Sequence, residues 1–336
     1  MVLLVMLSSP SSEGFRRLCA PSFSTSRAAA FLSEQLENLN ALNAEMLAIR
    51  EGELLGKSTG GVGLLTKVSG TVAQSKGVAV GRLLELEGCL SVGSVLSKGT
   101  AQTLLSFINE ENLRCEAEVE AGSVQFDERF GGVNCRGRAV KYGLRRDLYM
   151  PMSSPVVRAA LSEAFSNLRP LLHKIVGEHG MLHEVSSVMS DPGAPRQCVH
   201  ADTIVLPCPQ YPQATMEPLY TFFIALQDVE EGMGHTVFMP KTHTPAAHLL
   251  WNAGDAAGKM KFLNLQSVVQ SQLSTGDCSV FDSRVLHCGR ENSSSKRRVL
   301  FYFTVSRQQD WPLPNGLHGS NSMRAEDRWR YTLDQF

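Results

Sequence analysis

His200 and Asp202 stand one residue apart in Gln197-Cys-Val-His-Ala-Asp202. In an extended stretch such neighbours project to the same face, because side chains alternate along a strand. Far downstream, Gly276-Asp-Cys-Ser-Val-Phe-Asp-Ser-Arg-Val-Leu-His287 reads as a turn followed by an apolar strand that ends in a histidine. Two imidazoles and a carboxylate are the protein ligands of the 2-His-1-carboxylate facial triad, which leaves three positions of an octahedral Fe(II) open. After a polar turn, Arg298 opens another apolar strand. Its planar fork stays charged and matches a carboxylate bidentately. Oxygenase chemistry with 2-oxoglutarate and O2 needs both features: open iron positions for the 2-oxo acid end, and a cation for the far carboxylate. A lone His-x-Asp specifies little. The joint pattern specifies more.

The elements that would position these residues change character along the chain. From Leu182 on, short β-rich runs lie between Gly, Pro, Asn and Asp turns: Glu184–Met189, Gln197–Leu206, Leu219–Gln227, His235–Met239, Cys278–Phe281 and Arg298–Ser306. Short strands without intervening helices predict an antiparallel sandwich or jelly roll rather than an α/β sheet. Two excursions, Pro207 to Pro218 and Thr244 to Leu263, interrupt them as candidate lids or disordered insertions that would select substrate. Upstream, Gly88–Val92 reads as a short strand, and Thr100 as the N-cap of a helix through Leu104 and Ile108. A second helix begins at Ser154 and Pro155 with apolar Val157, Leu161, Phe165, Leu168 and Leu172; Pro170 should kink it and Gly177 should end it.

These residues, together with Gly234-His-Thr-Val-Phe-Met-Pro-Lys-Thr-His243, resemble the phytanoyl-CoA dioxygenase branch of the Fe(II)/2-oxoglutarate oxygenases, over about Leu182 to Ser306. The resemblance implies an α+β fold with a mainly β core, a double-stranded β-helix (jelly roll, cupin-like) with N-terminal helices packed on the outside. It implies His200, Asp202 and His287 as metal ligands and Arg298 as the anchor of the cosubstrate's distal carboxylate, with Arg297 turned to solvent. Several relatives carry a hydroxyl two positions after the distal histidine; Gly289 stands there in this chain, so Thr236 or Gln197 are the candidates to assist Arg298. Relatives that halogenate replace the carboxylate ligand with a small residue, so Asp202 implies hydroxylation of a small-molecule substrate, with release of succinate and CO2. His243 is the rival distal ligand, and fits less well because Pro240 precedes it and no Arg-led strand follows closely. Arg284 and Arg290 bracket His287 and read as surface charges before charges that face an anionic substrate; Phe222, Phe223 and Trp251 read as core before pocket lining. Two other readings remain at this point: a cupin-like metalloenzyme that does not use 2-oxoglutarate, and a catalytically silent jelly-roll binding module.

Composition narrows the classes. Lysine and arginine total 32 against 33 acids, so no strong field recruits nucleic acid or an anionic membrane. No apolar run approaches the ~18 residues of a membrane span. The 8 cysteines are scattered with no Cys-x-x-Cys pair, which reads as reduced thiols. Residues 1–30 hold Arg16, Arg17 and Arg27 with a single acid, Glu13; they read as a transit peptide or a disordered N-terminus. The protein is accordingly expected inside the cell, in mitochondrion or plastid if residues 1–30 are a transit peptide and otherwise in the cytoplasm. Residues 31–86 divide into an amphipathic helix at 31–55, which offers a surface for homo-oligomer formation, and a Gly/Ser-rich linker from Gly56 to Gly81. The dioxygenase domain is expected over 87–310 and a C-terminal tail over 311–336.

Overall fold

The computed structural model describes residues 63–132, 134–135, 138–139, 143–203, 205, 217–254, 256–307 and 322–336. The expected transit peptide, the 31–55 helix and most of the Pro207–Pro218 excursion lie outside the described residues.

Fourteen strands are described, numbered here in chain order, and most fall into two sheets that face one another. The larger contains β2 (Lys67–Val68), β3 (Cys89–Val92), β12 (Cys278–Asp282), β9 (Tyr220–Ala225), β14 (Arg298–Ser306), β8 (Met181–Ser190), β7 (Arg145–Tyr149) and β4 (Phe130–Gly131), in that spatial order. The smaller runs β1 (Gly63–Leu64), β11 (Val269–Gln270), β10 (Thr236–Phe238) and β13 (His287–Gly289). β5 (Asn134–Cys135) and β6 (Arg138–Ala139) form a separate hairpin. Apart from the short parallel pairs β1–β11 and β2–β3, neighbours are antiparallel. This is the double-stranded β-helix that the family resemblance implies, the jelly-roll form of the two that the strand pattern allows.

Alternation along the long strands decides what each face does. On β14, Val299, Phe301, Phe303 and Val305 are buried in one cluster with Phe222 and Ile224 of β9 and Val185 and Met189 of β8. That cluster also takes in the helices α1 (Gly70–Ser75), α2 (Gly77–Glu87), α3 (Lys98–Glu120) and α4 (Pro155–Val176). Full burial of each such side chain contributes roughly 1.5–3 kcal/mol. The opposite face of β14 carries Arg298, Leu300 and Tyr302, and these line an internal cavity. Between the sheets, Phe238 of β10 meets Phe281 of β12 with ring centroids 5.0 Å apart.

α4 is built as its sequence predicts. Ser154 caps it by accepting from Val157 N–H at 3.5 Å, Pro155 occupies its first turn, and Gly177 ends it at φ 83°. It continues through Pro170 as one helix, its flanks Leu168, Leu171 and Leu172 all buried.

Three expectations are corrected, and the tail gains detail. The cap of α3 is Ser97, which accepts from Thr100 N–H at 3.2 Å, so the helix starts before Thr100. The described part of the Gly56–Gly81 linker holds β1, β2, α1 and the start of α2, because Ala73, Val80 and Leu84 find an apolar surface on α4. The Thr244–Leu263 excursion contains helices α5 (Pro245–Ala253) and α6 (Ala256–Leu265), which bury Ala247 and Phe262. Within the C-terminal tail, residues 322–336 pack on the core through Met323 and Leu333, and Arg324 pairs with the buried Glu111. Among the described residues no helix is long and apolar enough to cross a membrane.

Candidate metal centre

The Gln197–Leu206 strand does not form over its described residues; the segment is tied to the smaller sheet at separate points instead. Gln197 N–H donates to Gly289 O at 2.9 Å, and Asp202 N–H donates to Ser283 O at 2.8 Å. Between them His200 and His287 exchange backbone hydrogen bonds of 3.0 and 2.8 Å. Alternation nevertheless survives. Val199 and Ala201 pack against Met239, Ala247, Phe262 and Leu286, a cluster supplied partly by α5 and α6, so His200 and Asp202 face the other way. The excursion therefore backs the histidine-bearing segment, a role its sequence does not announce.

His200, Asp202 and His287 meet. Asp202 Oδ1 lies 3.5 Å from His200 Nε2, and Asp202 Oδ2 lies 3.6 Å from His287 Nε2. Ligand atoms of the three all fall within 4.8 Å of one another, and they are the group among the described residues placed to hold a metal ion. Atoms at right angles about 2.1 Å from one ion lie ~3 Å apart, so a small contraction of this cluster would satisfy a first-row metal.

Hydrogen bonding sets the ring nitrogens for that task. His200 Nδ1 faces Cys198 O at 2.7 Å and His287 Nδ1 faces Val285 O at 2.9 Å. A carbonyl can only accept, so both Nδ1 atoms carry the proton and both Nε2 lone pairs point at the shared centre. Burial pushes each imidazole down to about 4, with the neighbouring His287 adding to the effect at His200. Both rings are therefore neutral at pH 7, as metal ligation requires. Burial also raises Asp202 to about 6 against the opposing pull of His200, a penalty that a divalent cation would reverse.

The cavity beside the triad is lined by Arg298, Thr236 and Gln197 at one end and by Asp147, Glu184 and Tyr302 elsewhere. Arg298 is 2% exposed. Its Nη1 donates to Gly234 O and its Nη2 donates to Ser190 Oγ at 3.3 Å, while Nε has no partner. Gly234 sits at φ 80°, and a Cβ there would come 2.7 Å from Arg290 O, so only glycine brings this carbonyl to the guanidinium. Among the described residues no carboxylate forms an ion pair with Arg298. A buried guanidinium with an unused donor, facing a cavity, suits an anion that arrives from outside.

The remaining predicted residues divide cleanly. Thr236 and Gln197 line the cavity, and Gln197 Oε1 accepts from Gly289 N–H at 2.9 Å. Arg297 does not point to solvent; its Nε pairs with Asp191, and its Nη1 donates to Asn109 Oδ1 at 3.1 Å. His243 lies in a separate surface cleft, its Nε2 3.1 Å from Glu85 O, and takes no part in the triad. Arg284 is bound to Asp282 at 2.6 Å. Phe222 is core and Trp251 packs on Phe262, whereas Phe223 also lines the cavity.

Sequence reasoning missed the acidic wall. Asp147 Oδ1 accepts from Ser186 Oγ at 2.6 Å, and Asp147 Oδ2 accepts from Tyr302 Oη at 3.0 Å and Ser322 Oγ at 3.2 Å. Burial is the main reason its carboxyl rises to about 6. Glu184 Oε2 accepts from Thr304 Oγ1 at 2.7 Å. The available signal was charge inside strands: the run Arg145-Arg146-Asp147 on β7, and Glu184 on β8.

Fold and centre together define a double-stranded β-helix protein with a His-Asp-His group placed to hold a metal ion. The family model for phytanoyl-CoA dioxygenase (PhyH) matches residues 84–300. The chain belongs to that family. No curated protein matches it. Among solved structures, the epimerase SnoN in complex with Fe3+, alpha ketoglutarate and nogalamycin RO is 15% identical, with 73% of this chain and 88% of that chain covered at a TM-score of 0.52. AviO1 from Streptomyces viridochromogenes Tue57 is 18% identical, with 70% and 97% covered at a TM-score of 0.49. The likeness to SnoN is one of fold.

Proposed function

We propose that the protein is an Fe(II)/2-oxoglutarate-dependent dioxygenase that hydroxylates a small-molecule substrate and releases succinate and CO2. One observation carries the reading: the triad and Arg298, whose buried Nε has no partner, line the same cavity. His200, Asp202 and His287 would hold the metal, and Arg298 would hold the distal carboxylate of the 2-oxo acid. When bound, iron and 2-oxoglutarate supply the oxidising power for O2 activation. The protein's own part is placement. The two Nδ1–H···O=C bonds fix the imidazole planes, so the Nε2 lone pairs need no reorientation when metal enters. Phe223, Leu300 and Val188 give the cavity an apolar wall that limits water, while Asp147, Tyr302 and Thr221 offer polar atoms to a substrate.

Retention of a carboxylate at position 202 supports hydroxylation over halogenation, since it occupies the position a halide would need. The test is succinate release with Fe(II) and 2-oxoglutarate across a panel of small metabolites, with His200→Ala as control. Turnover confined to the wild-type chain is expected. Equal succinate release from His200→Ala would refute the reading.

A further inference from the structure

Asp147 lies on β7 opposite Val188 of β8, which in turn lies opposite Leu300 of β14. All three line the cavity beside the His-Asp-His group. The Asp147 carboxylate is 7% exposed, and neutral hydroxyls are what donate to it. Its Oδ1 accepts from Ser186 Oγ at 2.6 Å, and its Oδ2 accepts from Tyr302 Oη at 3.0 Å and Ser322 Oγ at 3.2 Å. Among the described residues no lysine, arginine or histidine forms an ion pair with it.

That sets Asp147 apart. Among the described residues three acids are more deeply buried, and each has a cation: Glu111 has Arg114 and Arg324, Asp277 has Lys67, and Asp282 has Arg284. Hydroxyls stabilise an ionised carboxylate less than a cation does, and a buried charge without a counter-charge is costly. The position is also one that the chain keeps clear. Gly131 of β4 pairs with Asp147 and lines the same cavity, and a Cβ there would come 2.5 Å from Asp147 Oδ2. The missing side chain at 131 is what lets the carboxylate lie at the cavity wall. Arg298, whose buried Nε has no partner, lines this cavity too and independently marks it as one that takes a ligand.

We propose that Asp147 determines substrate specificity, and that the substrates are small molecules carrying a protonated amine. The proposal rests on reading the cavity as the Fe(II)/2-oxoglutarate site. There the cosubstrate's distal carboxylate answers Arg298, so a substrate cation is left to answer Asp147. Ser186, Tyr302 and Ser322 are positioning residues that hold the carboxylate by the hydrogen bonds above.

Equilibrium binding tests this without turnover. Calorimetric titration of the chain loaded with Mn(II) and 2-oxoglutarate compares butylamine, butanol and butyrate, which are similar in size and differ in charge. At pH 8 the amine is protonated and Asp147, at about 6, is ionised. Wild type should bind butylamine about ten- to hundredfold more tightly than butanol, the worth of one charge-assisted bond, and butyrate more weakly still. Asp147→Asn keeps the shape and removes the charge, and should erase the preference for the amine while 2-oxoglutarate still binds. Gly131→Ala keeps the charge but crowds Oδ2, and should reduce the preference by a smaller factor. A preference that survives in Asp147→Asn overturns the proposal. Should that variant not fold, a preference undiminished in Gly131→Ala overturns it instead. A wild-type chain that binds 2-oxoglutarate without favouring butylamine over the other two probes also overturns it, and leaves the cosubstrate reading standing. A Mn(II)-loaded wild-type chain that does not bind 2-oxoglutarate overturns both.

Discussion

Asp147→Asn in the metal-free protein offers a direct measure of what the acidic wall costs. Asp147 is 7% exposed, and burial raises its carboxyl from 3.8 to about 6. A folded-state value above the unfolded one means that the folded chain binds the proton more tightly. The resulting stability is fully present below about pH 4 and is lost as pH rises through about 6. A shift of about 2 units is worth about 3 kcal/mol. Asparagine mimics the neutral acid in shape, and the hydroxyls of Ser186, Tyr302 and Ser322 can rotate to meet its amide. Its fixed hydrogen-bonding cost, about 1 kcal/mol, is independent of pH. Urea unfolding of both chains in chelator, at intervals from pH 4.5 to 7.5, should therefore show the variant gaining on wild type by about 2–3 kcal/mol as pH rises. Taking the difference cancels the opposite trend from His200 and His287, whose depressed values add stability that disappears as pH falls towards 4. A difference that stays flat with pH would show that Asp147 is ionised throughout, and would refute the argument that its burial is uncompensated.

Arg298→Ala should raise the KM for 2-oxoglutarate at least tenfold, with activity partly recovered at high cosubstrate, because it removes charge-assisted bonds worth roughly 1.5–3 kcal/mol each. Steady-state succinate release checks this. His200→Ala should lower Mn(II) affinity by about two orders of magnitude or more, measured by titration under anaerobic conditions, since it removes one of three ligands and its fixed orientation. Phe303→Ala should cost about 3–5 kcal/mol of unfolding free energy. Phe303 is fully buried between Phe165, with centroids 4.9 Å apart, and Phe222, at 4.7 Å. Ser154→Ala should cost about 1 kcal/mol through the lost α4 cap, read as a drop of a few degrees in Tm.

Legibility in the sequence followed how local each feature's cause is. α4 could be read from Ser154 to Gly177 because cap, first-turn proline, apolar spacing and terminal glycine all act within the helix itself. The long strands β8, β9 and β14 were legible for a similar reason: alternation and β-branched or aromatic content coincide there. The segment at 197–203 was not a strand, since its pairing is limited to single contacts with Gly289, His287 and Ser283. Its facing was still foreseeable, because burial of Val199 and Ala201 enforces the alternation that a ladder would have supplied. The Gly56–Gly81 linker was misread because the apolar positions of α1 and α2 gain meaning only against α4, far away in the chain. Asp147 stayed opaque as a cavity residue for the same reason. Nothing near it in sequence says that β7 pairs with β8 on the cavity-bearing side.

Strands β7, β8 and β14 supply both stability and chemistry, and the division rests on a period of two. On β14 the odd positions 299, 301, 303 and 305 bind the helices, while the even positions 298, 300 and 302 line the cavity. Across the sheet, the cavity-side positions fall in rungs: Arg145, Ser190 and Arg298 in one, and Asp147, Val188 and Leu300 in the next, two residues along. At 3.2–3.4 Å of rise per residue, the cationic rung and the first acid lie roughly 7 Å apart along the strands. A slip of one residue would exchange the faces, setting Arg298 against the helices and Phe301 in the cavity. The α4 packing that buries Phe165 against Phe303 therefore does more than add stability. It holds the register that keeps opposite charges at separate stations of one pocket, with the triad beside them.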